Sequence, residues 1–390
     1  MSKLLVVCDE YVFKYDKCYF LREFGHTLIN RYLTVFDRIQ LVLRTKEINS
    51  SDDLLEYNIQ IKDKRIEIIE MPFFQGPKEY AINYINLSIK TRRIGKDCNA
   101  ALLRIPSTIG FSCLYQIKRK KIPYALEIIA NPLELRKSAS SRISSIIYSI
   151  IHKQQINACK KANGISYVTK YSLQQIYPAK KKNCFTSHYS SVDLPDTYYT
   201  EARILTTSKK IILCHVSSPI KTYSKGHLTL IKITKKLIDE GYDIETRFAG
   251  DGELVPVFKK FTQKLKIQDS VKFLGKLNQK DLRNLYLESD FLVFPSSTEG
   301  LPRVILEGYA TGLPCLSSPV GGIPEIVPQD MLFSPNDVDG FSKKIVEVIN
   351  KPITYNDFSK IAVEKAREFS SNNLQKKRIE FYKKLKSSIK

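Results

Sequence analysis

The strongest constraint on the fold is a rhythm. Short apolar, β-branched runs recur along the whole chain, and segments of mixed polar and apolar residues at helical spacing separate them. The first half carries KLLVV (3–7), RIQLVLR (38–44), IEIIEM (66–71), ALLRI (101–105), YALEIIA (124–130) and GISYVT (164–169). The second half carries KIILCHV (210–216), IETRFAG (244–250), VKFLG (271–275), FLVFPS (291–296), PCLSS (314–318) and MLF (331–333). Strands this continuously apolar are buried on both faces, as in a parallel sheet covered by helices. Strict alternation of the two kinds of segment predicts a doubly wound α/β fold.

The chain of 390 residues exceeds one ordinary core. The rhythm breaks once, at SVDLPDTYYTEARILTTSK (191–209), which has Pro195, several Ser/Thr and no sustained periodicity. That segment reads as a linker. Residues 1–190 then form one Rossmann-like domain and 210–370 a second, in tandem and facing a cleft, with ligands expected at the carboxyl ends of the strands. Residues 371–390 read as a basic helix that crosses back to the first domain. The N-terminal MSKLLVVCDEY reads as a first strand, since one lysine and five apolar residues make no signal peptide. No apolar run approaches the roughly 20 residues of a membrane span.

Cysteine and charge narrow the setting. The eight cysteines stand apart, with no C-x-x-C pair. Cysteine used this way, as a small hydrophobe, fits a reducing cytoplasm better than a disulfide framework or a zinc site. The net charge is +22 and unevenly spread: residues 101–190 hold 15 Lys/Arg and 2 Asp/Glu, whereas residues 1–100 hold 16 and 14. Such a block suits an anionic surface, a membrane face or a nucleic acid, and a solvated lysine-rich surface is the plainer alternative. No nucleic-acid motif accompanies it, and the block lacks the interleaved aromatics used for stacking on single strands.

The most informative stretch is FPSSTEGLPRVILEGYATGLPCLSSPVGGIPEIV (294–327), where Glu299 and Glu307 stand eight positions apart among small and apolar residues. The strand FLVF ends into it. Pro302 fits the first turn of a helix running to about Ala310, because its missing N–H costs nothing there. The free amides and dipole of that helix would face an anion near Gly300. Across about 8 Å of helix the two carboxylates could each hold a diol. VGGIPEIV repeats the glycine–proline device and would add a second cluster of amides.

This string resembles the signature of the retaining glycosyltransferases of family 4, which have the GT-B fold. The two glutamates, the Gly-Leu-Pro and the Gly-Gly-Ile-Pro-Glu match, as do KGHLTLIK (225–232), FAGDGEL (248–254) and VKFLGKL (271–277). RYLTVFDRIQLVLR, LLRIPSTIG and PYALEIIANPLE resemble related transferases of surface-polysaccharide assembly. The resemblance implies donor binding by the second domain. It puts Glu299 on the donor sugar, Glu307 on the ribose, and amides around Gly300, Leu301 and Pro302 on sugar and phosphate. Lys225 would neutralise the departing diphosphate. Gly250 and Gly252 would shape the neighbouring loop, and Lys276 and Leu277 would lie near the base, for which uridine is the default. Retention would follow a front-face, ion-pair-like displacement.

Two departures stand out. The family's arginine after the first strand of this domain is replaced by Ser218, with Lys221 as a candidate second cation. The histidine usual after the strand at 124–129 is absent, leaving Glu127 and Asn131 as acceptor-side candidates. No metal or cofactor is expected: Asp337 and Asp339 are better read as capping the helix that follows. Ile143, Ile146, Ile147 and Ile150 in 138–157 form one helical stripe, read as core or as a membrane-interface face beside a lipid-linked acceptor. The expected partners are a nucleotide sugar, a lipid-linked glycan and an anionic membrane surface, with no specific nucleic acid. A sugar-nucleotide epimerase, a phosphorylase and a charge-driven nucleic-acid binder remain as alternatives.

Overall fold

The computed structural model describes residues 1–54, 57–137, 142–205 and 210–389. It divides into two compact units, one of residues 1–191 and 375–390, the other of residues 192–374. The final helix therefore starts in the second unit and ends in the first.

The first unit contains, in order, β1 (Lys3–Tyr15), β2 (Cys18–Leu21), α1 (Glu23–Leu33), β3 (Arg38–Glu47), β4 (Ile59–Gln60), β5 (Ile66–Met71), α2 (Gly76–Thr91), β6 (Ala100–Ile105), α3 (Thr108–Arg119), β7 (Tyr124–Ile128), α4 (Pro132–Lys137), α5 (Arg142–Cys159), β8 (Gly164–Tyr167), α6 (Ser172–Ile176) and β9 (Phe185–His188). Its parallel core runs β5-β3-β1-β6-β7-β8-β9. Leu5, Val7, Leu102, Leu103, Ala125 and Leu126 are fully buried, as strands covered on both faces require. One element departs from the sequence expectation. β1 continues past Val7 to Tyr15, because after a bulge its second half pairs in parallel with the end of β3 and forms an antiparallel hairpin with β2.

The second unit holds β10 (Ile211–Val216), α7 (His227–Asp239), β11 (Ile244–Ala249), α8 (Val255–Lys264), β12 (Val271–Phe273), α9 (Gln279–Glu288), β13 (Phe291–Phe294), α10 (Arg303–Ala310), β14 (Cys315–Ser317), α11 (Val338–Ile349), α12 (Pro352–Arg367) and the start of α13 (Ser371–Ser387). All five strands are parallel, in the order β12-β11-β10-β13-β14. MLF (331–333) is not a strand. Met331 closes a 3₁₀ turn and Leu332 makes a single bridge to Ser317, too little pairing for a sixth strand. Residues 192–205 belong to this unit; residues 206–209 of the expected linker lie outside the described residues.

All eight cysteines are free thiols. Among the described residues no helix is long and apolar enough to cross a membrane.

Candidate active site

The second sheet changes direction at β10. The chain builds outward through β11 and β12, then returns to pair β13 against the other edge of β10. In an open α/β sheet, the connections leaving two such neighbours diverge and leave a crevice beyond their carboxyl ends. Two loops meet there. One leaves β10 and passes through a 3₁₀ turn, Tyr223–Lys225, before α7. The other leaves β13 and runs to α10. The Ser297 amide donates to the Ser224 carbonyl at 2.7 Å and ties the loops together.

This joint brings Lys225 to Glu299. The ammonium Nζ lies 2.6 Å from Glu299 Oε1, with the lysine side chain 33% exposed and the carboxylate 10%. The buried Ser296 hydroxyl donates to the same oxygen at 2.9 Å. A charge-assisted bond and a neutral one therefore fix the carboxylate before any ligand arrives.

Two glycines make the approach possible. Gly226 follows Lys225 with φ +82°, and a Cβ there would lie 2.3 Å from the Pro295 carbonyl oxygen. Gly321 has φ +56°, and its Cβ would lie 2.1 Å from the Glu299 carbonyl oxygen. Both positions combine a left-handed backbone with contact too close for a side chain. At the second, the Gly322 amide donates to the Gly300 carbonyl at 2.6 Å. The expected second amide cluster is thus corrected. Ile323–Glu325 is a three-residue 3₁₀ turn without a helix terminus, and the Gly322 amide braces the glutamate loop instead.

Helix α10 begins at Arg303, with Pro302 as its extended N-cap (φ −71°, ψ 121°) rather than within the first turn. Pro302 is buried, while Gly300 and Leu301 are half-buried on the loop before it. Glu307 sits one turn into the helix, also half-buried. Its Oε2 accepts from the Tyr286 hydroxyl at 3.3 Å. Burial raises its carboxyl above the ordinary range, with Arg303 and the Tyr286 bond pulling the other way. Such a carboxylate is under-solvated and gains by meeting hydroxyl donors.

The remaining candidates frame this centre. Ser218 is exposed on the loop after β10. Lys221 is exposed on the same loop and lies 3.4 Å from Glu253. The Gly250 amide donates to the Gly275 carbonyl at 2.8 Å, joining the ends of β11 and β12. Gly252 donates to its neighbour Asp251 and packs on the Ile220 backbone. Exposed Lys276 and half-buried Leu277 follow Gly275 on that rim.

Two histidines lie beneath. His215, on β10, and His227, opening α7, are both fully buried, with ring centroids 4.4 Å apart. His215 Nε2 donates to the Lys225 carbonyl at 2.7 Å, which fixes the proton on Nε2. His227 Nε2 meets the Ser217 hydroxyl at 3.2 Å. Burial among Phe248, Phe258 and Phe294 drives the two imidazoles down, to about 4 and about 2. Both stay neutral and hold the floor of the site. The signal in the sequence was the spacing, since strand end, loop and helix start place 215 and 227 on facing elements.

In the first unit Glu127 is 3% exposed, and donors of its own unit take both oxygens. Tyr32 and Arg104 reach Oε2 at 3.1 and 3.2 Å; Tyr189 and Tyr382 reach Oε1 at 2.9 and 3.0 Å. Asn131 Oδ1 accepts from the Tyr177 hydroxyl at 2.7 Å and the Leu133 amide at 3.0 Å. Asp337 caps α11 through the Gly340 amide at 2.8 Å, and Asp339 pairs with Lys236 at 2.6 Å. Among the described residues no group of three or more His, Cys, Asp or Glu could hold a metal.

Comparisons with known proteins agree with this architecture. Residues 200–365 match the family described as glycosyl transferases group 1. Protein CapJ of Staphylococcus aureus is 29% identical over 380 residues, covering 97% of this chain and 93% of CapJ. A GDP-mannose-dependent monoacylated phosphatidylinositol monomannoside mannosyltransferase of Corynebacterium glutamicum is 27% identical over 210 residues, 48% of this chain and 53% of that protein. Among solved structures, sucrose-phosphate synthase from Thermosynechococcus elongatus superposes with a TM-score of 0.76 at 12% identity, each chain covered completely. Anabaena HepE in complex with UDP superposes with a TM-score of 0.69 at 15% identity, covering 99% of this chain and 100% of that one. Residues 200–365, most of the second unit, thus carry the match to the glycosyl transferases group 1, and the two units have the α/β fold of GT-B glycosyltransferase structures.

Proposed function

We propose that this protein moves a sugar from a nucleoside-diphosphate donor to a lipid-linked glycan, with retention, in the assembly of a cell-surface polysaccharide. One observation carries the reading: the Lys225–Glu299 pair at the switch of the second sheet, beside the under-solvated Glu307. Glu299 orients the donor sugar through its hydroxyls. Glu307 takes the ribose diol, whose donors replace the water its carboxylate lacks. Lys225 meets the diphosphate as the anomeric C–O bond breaks and negative charge moves onto the leaving oxygen. The acceptor hydroxyl then forms the new bond on the same face, and its proton passes to that departing oxygen. UDP is the favoured nucleotide; the superposable HepE was solved with it.

The acceptor side falls to the first unit. Its basic character suits a phosphorylated lipid carrier at the inner face of the plasma membrane, and the partial likeness to an enzyme named for a phosphatidylinositol mannoside supports a lipid-borne acceptor. Glu127 and Asn131 serve there as anchors of the strand ends rather than as groups that touch substrate.

The test is melting temperature against UDP, GDP, ADP and CMP, in wild type, Lys225→Ala and Glu307→Ala. Saturation at about 100 times Kd adds roughly 2.7 kcal/mol, or a few degrees. A shift with one nucleoside diphosphate, weakened in both variants, supports the donor site and names the base. No shift with any of them would overturn it. Acceptor-dependent release of nucleoside diphosphate separates a transferase from an epimerase or a phosphorylase.

A further inference from the structure

The stripe expected in 138–157 is core only in part: Ile146 and Ile150 are more than half exposed, and residues 138–141 and the Ile143 side chain lie outside what is described. The basic block around it is more informative. Five of its lysines, Lys118, Lys120, Lys121, Lys161 and Lys181, line one pocket of about 600 Å³. The order of the parallel sheet brings them there. α3 ends shortly before β7 begins and α5 shortly before β8, so their terminal lysines come to the amino ends of the strands, beside Asn99, Pro123 and Asn163. An α/β fold places its catalytic ligands at the opposite end of the sheet.

Each lysine alone suits the negative end of its helix. Their convergence has no such explanation, because no Asp or Glu lines the pocket. Asp97 and Glu67 act on Cys98 from outside the wall, and Glu67 is already paired with Lys3 at 2.5 Å. Lys120 donates to the Ile94 carbonyl at 2.5 Å. Among the described residues, Lys118, Lys121, Lys161 and Lys181 have no oxygen partner for their ammonium groups; Lys118 lies over the Tyr124 ring, 5.9 Å from its centroid. Burial and the charge of Lys161 hold the Lys118 ammonium below its ordinary range. An anion among these groups would offset both effects.

The pocket also carries two neutral donors. Asn99 Oδ1 accepts from the Lys3 amide at 2.9 Å, and Asn163 Oδ1 from the Tyr124 amide at 3.3 Å. Those bonds orient the two side-chain amides, and neither Nδ2 has an acceptor among the described residues. Lysines supply charge with little geometry and the amides add direction, a combination that suits the oxygens of linked phosphoryl groups. Size separates the kinds of polyanion. The pocket has the volume of a small-molecule site, whereas a nucleic acid or a bilayer would use a stripe or an open plane of charge. Ser388 and Ile389, directly after α13, close one side. A ligand here would therefore hold the end of the helix that passes from the second unit to the first.

We propose that this pocket is a second binding site, for a small molecule that carries a chain of phosphoryl groups, separate from the donor site at Lys225 and Glu299.

Calorimetric titration of the full chain with sodium tripolyphosphate tests it, with sodium sulfate at matched ionic strength as the control. Wild type, Lys118→Ser/Lys161→Ser and Lys225→Ala are compared. Wild type and Lys225→Ala should both bind tripolyphosphate, and the double variant should bind at least about tenfold more weakly, the value of a charged hydrogen bond. Both substituted lysines are exposed, and a melting temperature no lower than that of wild type checks that the fold persists. ATP titrated in parallel names the source: tighter binding than tripolyphosphate assigns a nucleoside to the ligand, and equal or weaker binding assigns the phosphoryl chain alone. No binding by wild type, equal binding of sulfate, or a double variant that binds like wild type would overturn the proposal. Loss of binding in Lys225→Ala would overturn it too, since the phosphates would then sit at the donor site. So would phosphatidylglycerol vesicles that bind through the same two lysines while tripolyphosphate does not, since the pocket would then serve a lipid surface.

Discussion

His215 donates from Nε2 to the Lys225 carbonyl at 2.7 Å, so a fully buried imidazole holds the backbone of the residue whose ammonium meets Glu299 at 2.6 Å. Lys225 is thus set from below by its main chain and from the side by its charge. His215→Phe keeps the ring against Phe294 and removes the donor. A buried acceptor left unmade costs about 1–3 kcal/mol, so melting should fall by a few degrees. kcat should fall about tenfold with little change in KM, and Lys225→Ala should cost less in this background than alone, because residues that act together are not additive. Full additivity would show that His215 does not act through Lys225.

The same pair makes stability depend on pH. Both imidazoles titrate below their ordinary 6.5 in the folded protein, His215 at about 4 and His227 at about 2. The unfolded chain therefore binds more protons below pH 6.5. Stability is full above that value and is lost progressively as pH falls through 6.5 towards 4. At 1.36 kcal/mol per pH unit, His215 alone accounts for about 3 kcal/mol. Glu307 acts in the opposite sense, since its raised carboxyl is costly when ionised and is relieved by acid. Urea unfolding from pH 7 to pH 4 should show the net loss, and His215→Phe should flatten it. An unchanged slope in that variant would assign the acid sensitivity elsewhere.

Glu307→Gln separates binding from folding. The carboxylate has one weak bond, 3.3 Å from the Tyr286 hydroxyl, and sits where ionisation is costly. Without ligand the variant should melt no lower than wild type. Its affinity for UDP should fall by the value of a charged hydrogen bond, about 1.5–3 kcal/mol, or roughly tenfold to a hundredfold. Calorimetric titration with UDP reads this directly. Unchanged affinity would remove Glu307 from the ribose.

Gly321→Ala tests the brace behind Glu299. A Cβ placed 2.1 Å from the Glu299 carbonyl must displace that loop, and the left-handed backbone adds about 1–2 kcal/mol of strain. Melting should fall by several degrees and activity by about a hundredfold, more than the folded fraction accounts for. Equal losses of activity and folded protein would mean that Gly321 serves the fold alone.

The fold was legible because its information is local. Runs such as IILC and FLVF are too apolar for anything but a strand buried on both faces, and the periodic segments between them have one face to bury. Two segments are exceptions. The second half of β1, DEYVFKY, alternates weakly and becomes strand because Cys18–Leu21 turns back on one edge of it and the end of β3 pairs along the other. MLF is apolar enough for a strand but finds one bridge in place of a ladder.

The site was legible in part for the same reason. Glu299, Gly300 and Glu307 lie in one continuous string with its own spacing, and Lys225 stands beside Gly226. That Lys225 and Glu299 touch is not local. They are 74 positions apart, and they meet because β10 and β13 pair and the Ser224–Ser297 hydrogen bond ties their loops. The burial of His215 and His227 is equally tertiary, since desolvation depends on which rings close around a side chain. So is the exposure of Ile82 and Ile85. The pattern of α2 offers apolar residues on more than one side, and only packing decides that Leu87 goes in while the isoleucines stay out. Sequence by itself determined most element types, the break near residue 191 and the spacing of the glutamate string, because each follows from residues within one turn or one strand of each other. Tertiary structure decided which charges pair, which imidazoles lose their water and which apolar face is left bare, because those depend on distances that chain order does not set.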